Sequence, residues 1–283
     1  MDNLLEAAVI LRRIFLLVIT VYLIIAALLY FFQESLIFFR QPLNAGRQQY
    51  IEQNYKQVEE VGLKTHDGKD LHGWLVKSDG NGPSPLLIYF GGNAEEVSWM
   101  IEEAGGLKGW SVLLMNYRGY GKSTGRPGET ALLGDALLLY DVFSNRDDID
   151  RNNIAVMGRS LGTAMAVHLS ARRDVSKTVL VSPFGSMANI ARENFPFIPV
   201  RILMRQKFHV LPFAQEAYNP MLTLVASNDN IVPARHSKML YEAWQGAKSY
   251  HVIRNTNHNT ISANPAFWEY VTAFLERAGS PDL

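Results

Sequence analysis

Cysteine is absent from this chain. That removes a disulfide framework, a thiol nucleophile, and cysteine-ligated zinc or iron–sulfur sites. A surplus of either charge is absent too: 27 basic residues face 27 acidic ones over 283 positions. A nucleic-acid footprint needs a basic excess, so nucleic acid is not an expected partner. Internal repeats and low-complexity tracts are also missing. A further absence is local: no charged residue occurs from Ile14 to Phe32.

Those 19 residues make roughly 28 Å of helix at ~1.5 Å per residue, close to the ~30 Å hydrocarbon core of a bilayer. Arg12 and Arg13 flank its start, and Phe15, Tyr30, Phe31 and Phe32 collect near its ends, as interfacial aromatics do. The segment has no polar face, which argues against a buried core helix. It is long for a signal-peptide core and no small-x-small cleavage site follows it. The expectation is a retained single-pass anchor with the lipid bilayer as its partner. Positive-inside counting leans towards a cytoplasmic N-terminus and an extracytoplasmic domain. Residues 1–40 are assigned to the anchor and juxtamembrane segment, and residues 41–283 to the main domain. The apolar run Leu36-Ile37-Phe38-Phe39 admits two readings: it continues the membrane helix, or it packs on the domain and holds it near the bilayer.

From about Tyr55 onward, strand and helix signals alternate. Gln57–Leu63 and Lys69–Val76 read as a hairpin around Asp67-Gly68. Leu86–Phe90, Ser111–Asn116, Ile154–Met157, Thr178–Val181, Leu222–Ala226 and Ser249–Ile253 read as further strands. Val97–Ala104, Thr130–Asn145 and Pro265–Ala278 read as helices. Short unbroken apolar strands separated by helices imply an α/β fold: a mostly parallel eight-stranded sheet covered on both faces. The stretch 183–218 breaks the alternation and is too long for a plain connection. It is expected to be a short cap after the sixth strand, with Phe184, Phe195, Phe197, Phe208 and Phe213 as an apolar roof. Phe184, Phe195 and Phe197 are the substrate-pocket candidates, while Arg192, Arg201, Arg205 and Lys207 would face solvent, an anionic group or lipid headgroups.

Chemistry enters at Gly158-Arg159-Ser160-Leu161-Gly162, between the strand Ile154–Met157 and the helical stretch from Thr163. G-x-S-x-G in that setting is a nucleophile elbow. The turn at the serine is so tight that side chains two residues away on either side would clash, which Gly158 and Gly162 avoid. A serine hydroxyl needs a base titrating near neutrality, which favours histidine, and an acid to orient that histidine. In this fold the chain order is Ser, acid, His. Asp229 follows the strand Leu222–Ala226, in D-x-x-V-P before a helix. His258 lies in the polar loop after Ser249–Ile253. The other six histidines sit in the early hairpin, on helices, inside a strand or in the cap. The oxyanion requires backbone N–H donors: Leu161, and a residue of the loop Gly91-Gly92-Asn93-Ala94, with Asn93 first and Gly92 next. Gly121-Lys122-Ser123 imitates a phosphate loop but lacks its first glycine, and is read as structural.

Together, Tyr89-Phe90-Gly91-Gly92-Asn93-Ala94, Asn116–Ser123, Gly158–Gly162, Asp229–Pro233 and His258-Asn259 resemble the membrane-anchored α/β-hydrolase-fold serine hydrolases with a prolyl-oligopeptidase-like domain. The resemblance implies Ser160 as nucleophile, Asp229 as acid, His258 as base, and an oxyanion hole at Leu161 and the Gly92–Asn93 region. Gly91 stands where the family usually carries His, which implies a looser loop and a roomier pocket. Ser227 replaces the usual Gly two residues before the acid. The expected activity is hydrolysis of acyl esters or thioesters of small-molecule or lipid substrates through an acyl-enzyme, with no metal and no cofactor. The alternatives are a serine peptidase of the prolyl-oligopeptidase type, a lysophospholipase or lipid thioesterase, and a membrane pseudo-hydrolase that scaffolds partners.

Overall fold

A computed structural model describes residues 2–277. Among the described residues the strands form one eight-stranded sheet: β1 (Val58–Lys64), β2 (Asp70–Val76), β3 (Ser84–Phe90), β4 (Ser111–Met115), β5 (Ile149–Arg159), β6 (Lys177–Val181), β7 (Met221–Ala226) and β8 (Lys248–Ile253). Their spatial order is β1-β2-β4-β3-β5-β6-β7-β8. β2 runs antiparallel to both of its neighbours, and every other pair is parallel. The helices are α1 (Asp2–Ile37), α2 (Ala45–Asn54), α3 (Met100–Ala104), α4 (Glu129–Phe143), α5 (Gly162–Arg172), α6 (Met187–Asn194), α7 (Val200–Leu203), α8 (Leu211–Ala214), α9 (Ala234–Ala243) and α10 (Pro265–Glu276).

Side chains alternate across a strand, so an unbroken apolar strand feeds two cores. β3 does this: Leu86, Ile88 and Phe90 join the core beneath α4, α5 and α9, whereas Leu87 and Tyr89 join the core beneath α3 and α10. Parallel strands between two helical layers bring their carboxyl ends to one edge, β2 excepted, where βα loops gather functional groups.

Several boundaries differ from expectation. β5 starts five residues before Ile154, because Ile149 pairs with Ser84 across an irregular register. The helix expected over Val97–Ala104 opens as a 3₁₀ turn, Val97–Trp99, capped by the Glu96 carboxylate. α2 was not anticipated because it buries only Ile51 and carries no apolar stripe; the Asn44 side chain caps it. The last helix is described to Glu276, and Ala278 lies outside the described residues.

α1 is a 36-residue helix, long and apolar enough to cross a membrane. No proline or glycine interrupts it before Pro42. Both readings of the Leu36–Phe39 run hold in part. The helix continues to Ile37; Phe38 then turns into the domain core, 3 % exposed, with its ring edge-on to Phe208 at 6.3 Å. The loop after β4 is clamped to the hairpin by Arg118, which donates to both carboxylate oxygens of Asp67 and of Asp135. The Arg118 hydrogen bonds hold the Asp67 carboxyl down at about 2. In the same loop, Gly121 N–H donates to Gln41 O at 2.7 Å and Lys122 donates to Glu60 at 2.6 Å.

The stretch 183–218 divides in two. Its second half returns to the core: Phe208 is buried against Phe38, and Phe213 of α8 packs edge-on against His168 of α5. Only the first half, with α6 and α7, covers the sheet edge, so Phe208 and Phe213 are not roof residues.

Candidate active site

The elbow between β5 and α5 places Ser160 at φ +50°, a left-handed conformation that costs a residue with a Cβ and lifts the side chain out of the sheet. Its N–H donates to Val181 O at 2.9 Å. A Cβ at Gly158 would lie 2.5 Å from Gly162 O, and one at Gly162 would lie 2.0 Å from Phe90 O. Neither position admits a side chain.

Asp229 stands in the turn after β7, its side chain 1 % exposed. One oxygen accepts the N–H groups of Ile231 and Val232, at 3.0 and 2.8 Å. The other accepts Ser182 Oγ and faces His258 Nδ1, both at 2.8 Å. Burial pushes the Asp229 carboxyl up, but the hydrogen bonds from His258, Val232 and Ser182 outweigh it and hold the carboxyl below its ordinary value. A depressed pKa contributes stability that is present above the unfolded value, about 3.9, and lost as pH falls through the folded value. Asp229 is thus an anion throughout the neutral range and accepts from His258. Nδ1 must donate, so in the neutral imidazole the lone pair lies on Nε2.

Ser160 Oγ and His258 Nε2 have no hydrogen-bond partner among the described residues. Their loops are nonetheless tied together. Arg159, next to the serine, donates to the carbonyl of His258 at 3.1 Å and to Glu95 at 3.2 Å.

Two amides beside Ser160, one at the elbow and one in the loop after β3, are free among the described residues. The N–H groups of Leu161 and Asn93 donate to nothing among the described residues, and both residues line the same cavity as Ser160. Gly92 is different: its N–H donates to Glu95 Oε2 at 2.7 Å. The expectation of Gly92 as an oxyanion donor is corrected, since that amide is already spent. Asn93 Oδ1 accepts from Phe39 N–H, Ala94 N–H and Tyr120 OH, at 2.9 to 3.0 Å. Gly91 does not loosen the loop. A Cβ there would lie 3.0 Å from Glu95 Oε1, and Tyr117 OH donates to Gly91 O at 2.7 Å, so the vacated room holds Glu95.

A cavity of about 410 Å³ opens above Ser160. Phe184 and Phe195 line it, with Met187, Ile190, Ile231 and Val232. Phe197 does not; it is 86 % exposed, and the pocket expectation for it is corrected. The remaining wall is supplied by α1 through Leu29, Gln33, Leu36 and Ile37.

A family profile described as serine aminopeptidase, S33 (Hydrolase_4) matches residues 83–211. An uncharacterized protein of Mycobacterium tuberculosis is 36 % identical over 202 residues, covering 71 % of this chain and 72 % of its own. The chain belongs to the α/β-hydrolase family of serine hydrolases. The α/β hydrolase domain-containing protein WAV2 of Arabidopsis thaliana is 32 % identical over 205 residues, 65 % of each chain. An acetyl xylan esterase from Paenibacillus sp. R4 superposes with a TM-score of 0.65 at 19 % identity, over 79 % of this chain and 85 % of that one; this likeness is one of fold.

Three residues around the candidate site escaped the sequence reading. Ser182, at the end of β6, orients Asp229. Glu95 is 4 % exposed at its side chain and takes Tyr89 OH, Gly92 N–H and Arg159. Arg159 was visible only as the variable residue of the elbow. Nothing in the spacing of Glu95 distinguishes it from a turn carboxylate. We propose that Glu95 and Arg159 act as positioning residues. Glu95→Gln keeps the shape but loses the charge facing Arg159. Its expected effect is a fall in kcat for p-nitrophenyl butyrate of about 10- to 100-fold with KM little changed. A lowered Tm with kcat intact would reduce Glu95 to a structural part.

Proposed function

We propose that this chain is a membrane-tethered serine hydrolase that cleaves acyl esters or thioesters through an acyl-enzyme on Ser160. Ser160 Oγ attacks the acyl carbonyl carbon while His258 Nε2 takes its proton. Asp229 holds the imidazole tautomer and balances the imidazolium. The carbonyl oxygen, now an anion, sits on the Leu161 and Asn93 amides, where fixed donors act without reorganising. Collapse breaks the bond to the alcohol or thiol, which leaves with the proton from His258. Water, deprotonated by the same nitrogen, then releases the carboxylic acid and restores Ser160. α1 is the tether, with Arg12 and Arg13 on the cytoplasmic side and the domain outside.

The observation that carries the acyl-ester reading is the cavity lining: every side chain around it is uncharged. An aminopeptidase site must bind a substrate ammonium, and an unpaired charge in an apolar cavity is costly. An uncharged acyl group suits the lining. The test compares p-nitrophenyl butyrate with alanine p-nitroanilide on the full-length protein. The ester should be preferred by roughly 100-fold or more in kcat/KM, as expected where a site leaves a substrate's polar group unpaired. Preference for the anilide would turn the assignment to a peptidase.

A further inference from the structure

The anchor helix does more than hold the domain near a bilayer. It forms one side of the cavity above Ser160, through Leu29, Gln33, Leu36 and Ile37. Gln33, a polar residue just past the charge-free run, is 7 % exposed. Its amide is divided between cap groups, donating to Leu203 O at 3.1 Å and accepting Arg205 N–H at 2.7 Å. Glu34 pairs with Arg205 at 3.4 Å. Further up the helix, Tyr22 OH donates to Phe197 O at 2.9 Å.

Tyr22 lies ten residues before the end of the charge-free run, about 15 Å along the helix axis. If that run fills the hydrocarbon of a bilayer, the cap segment bonded to Tyr22 stands inside one leaflet. That segment's surface is mainly apolar, with Arg201 as an exposed charge whose long stem lets it reach back to the interface. Phe195, Phe197 and Ile202 are 51 %, 86 % and 82 % exposed, unusual on a face meant for water.

Building on the hydrolase reading above, we infer that the pocket opens into the leaflet between α1 and the cap, and that the substrate is an acyl ester of a bilayer lipid entering chain first. The uncharged lining takes the acyl chain, and Leu29 and Leu36 contact it. The ester carbonyl meets Ser160 and the head group stays at the interface, beside Glu34 and Arg205. Phe197 and Ile202 keep the cap seated in lipid.

The test uses the full-length protein in phosphatidylcholine vesicles with two probes, membrane-dissolved 4-methylumbelliferyl palmitate and soluble p-nitrophenyl acetate. Leu29→Trp fills the helix side of the cavity and should lower the palmitate-to-acetate ratio of kcat/KM by about tenfold or more. Leu28→Trp, at an exposed position that does not line the cavity, should leave that ratio near wild type. An unchanged ratio in Leu29→Trp, or an equal fall in Leu28→Trp, would overturn the inference. So would turnover of an S-palmitoyl peptide with none of the lipid ester. Because the chain has no cysteine, Phe197→Cys carries a nitroxide at a single site. Collision with oxygen but not with a water-soluble nickel chelate supports immersion of the cap, and free collision with the chelate excludes it. Loss of the hydrolase reading is seen separately, as wild-type protein that a fluorophosphonate fails to label at Ser160.

Discussion

Ser160→Ala should abolish fluorophosphonate labelling and lower p-nitrophenyl butyrate turnover by roughly 10⁴-fold or more, leaving only what oxyanion donors and binding supply. The geometry makes this substitution clean. Alanine keeps the Cβ, so the left-handed backbone at φ +50° is as costly as before, and the N–H bond to Val181 is untouched. Stability should therefore be nearly unchanged. Ser160→Gly gives the complementary result: activity is lost equally, but release of the Cβ stabilises the fold by about 1 kcal/mol. Measuring Tm for both separates the chemistry of the hydroxyl from the strain of the turn. Labelling that persists at another residue in Ser160→Ala would remove Ser160 from the mechanism.

Asp229→Asn should reduce kcat by about 10⁴-fold at neutral pH while the protein stays folded. Asn keeps the oxygen that accepts Ile231 and Val232 N–H, so the turn after β7 survives. The other oxygen becomes an NH₂ group facing His258 Nδ1 and Ser182 Oγ. A donor there forces Nδ1 to accept, which moves the imidazole hydrogen to Nε2 and removes the lone pair that Ser160 needs. In the parent protein the hydrogen bonds outweigh burial and keep Asp229 ionised, so this lock persists as pH rises from the acid range. A variant retaining kcat within about tenfold of wild type would show that His258 does not need this partner.

Much of the site was legible because its parts are local. An elbow needs glycine at two fixed offsets from the serine, since the clashing atoms belong to the chain's own neighbouring residues. Asp229 and His258 follow the last strands of an alternating pattern, and chain order together with a place in the loop after the last strand distinguished His258 from six other histidines. The paired cores of β3 were equally readable, because an apolar strand between helical patterns has two faces to bury. The run Leu36–Phe39 was not decided by the sequence, which left two readings open: the helix ends at Ile37 and the Phe38–Phe208 contact joins residues far apart in sequence.

Composition and local spacing determined the fold class, the apolar helix and the candidate residues for the proposed acyl chemistry, because each rests on backbone sterics or short-range periodicity. Only the tertiary structure decided that Glu95 takes the Gly92 amide and leaves Asn93 free, that Ser182 joins Asp229, that Phe197 faces outward, and that Leu29 and Gln33 wall the cavity. Those outcomes depend on how distant segments meet. A hydrogen bond or a cavity wall is set by the position of a partner that no local pattern encodes.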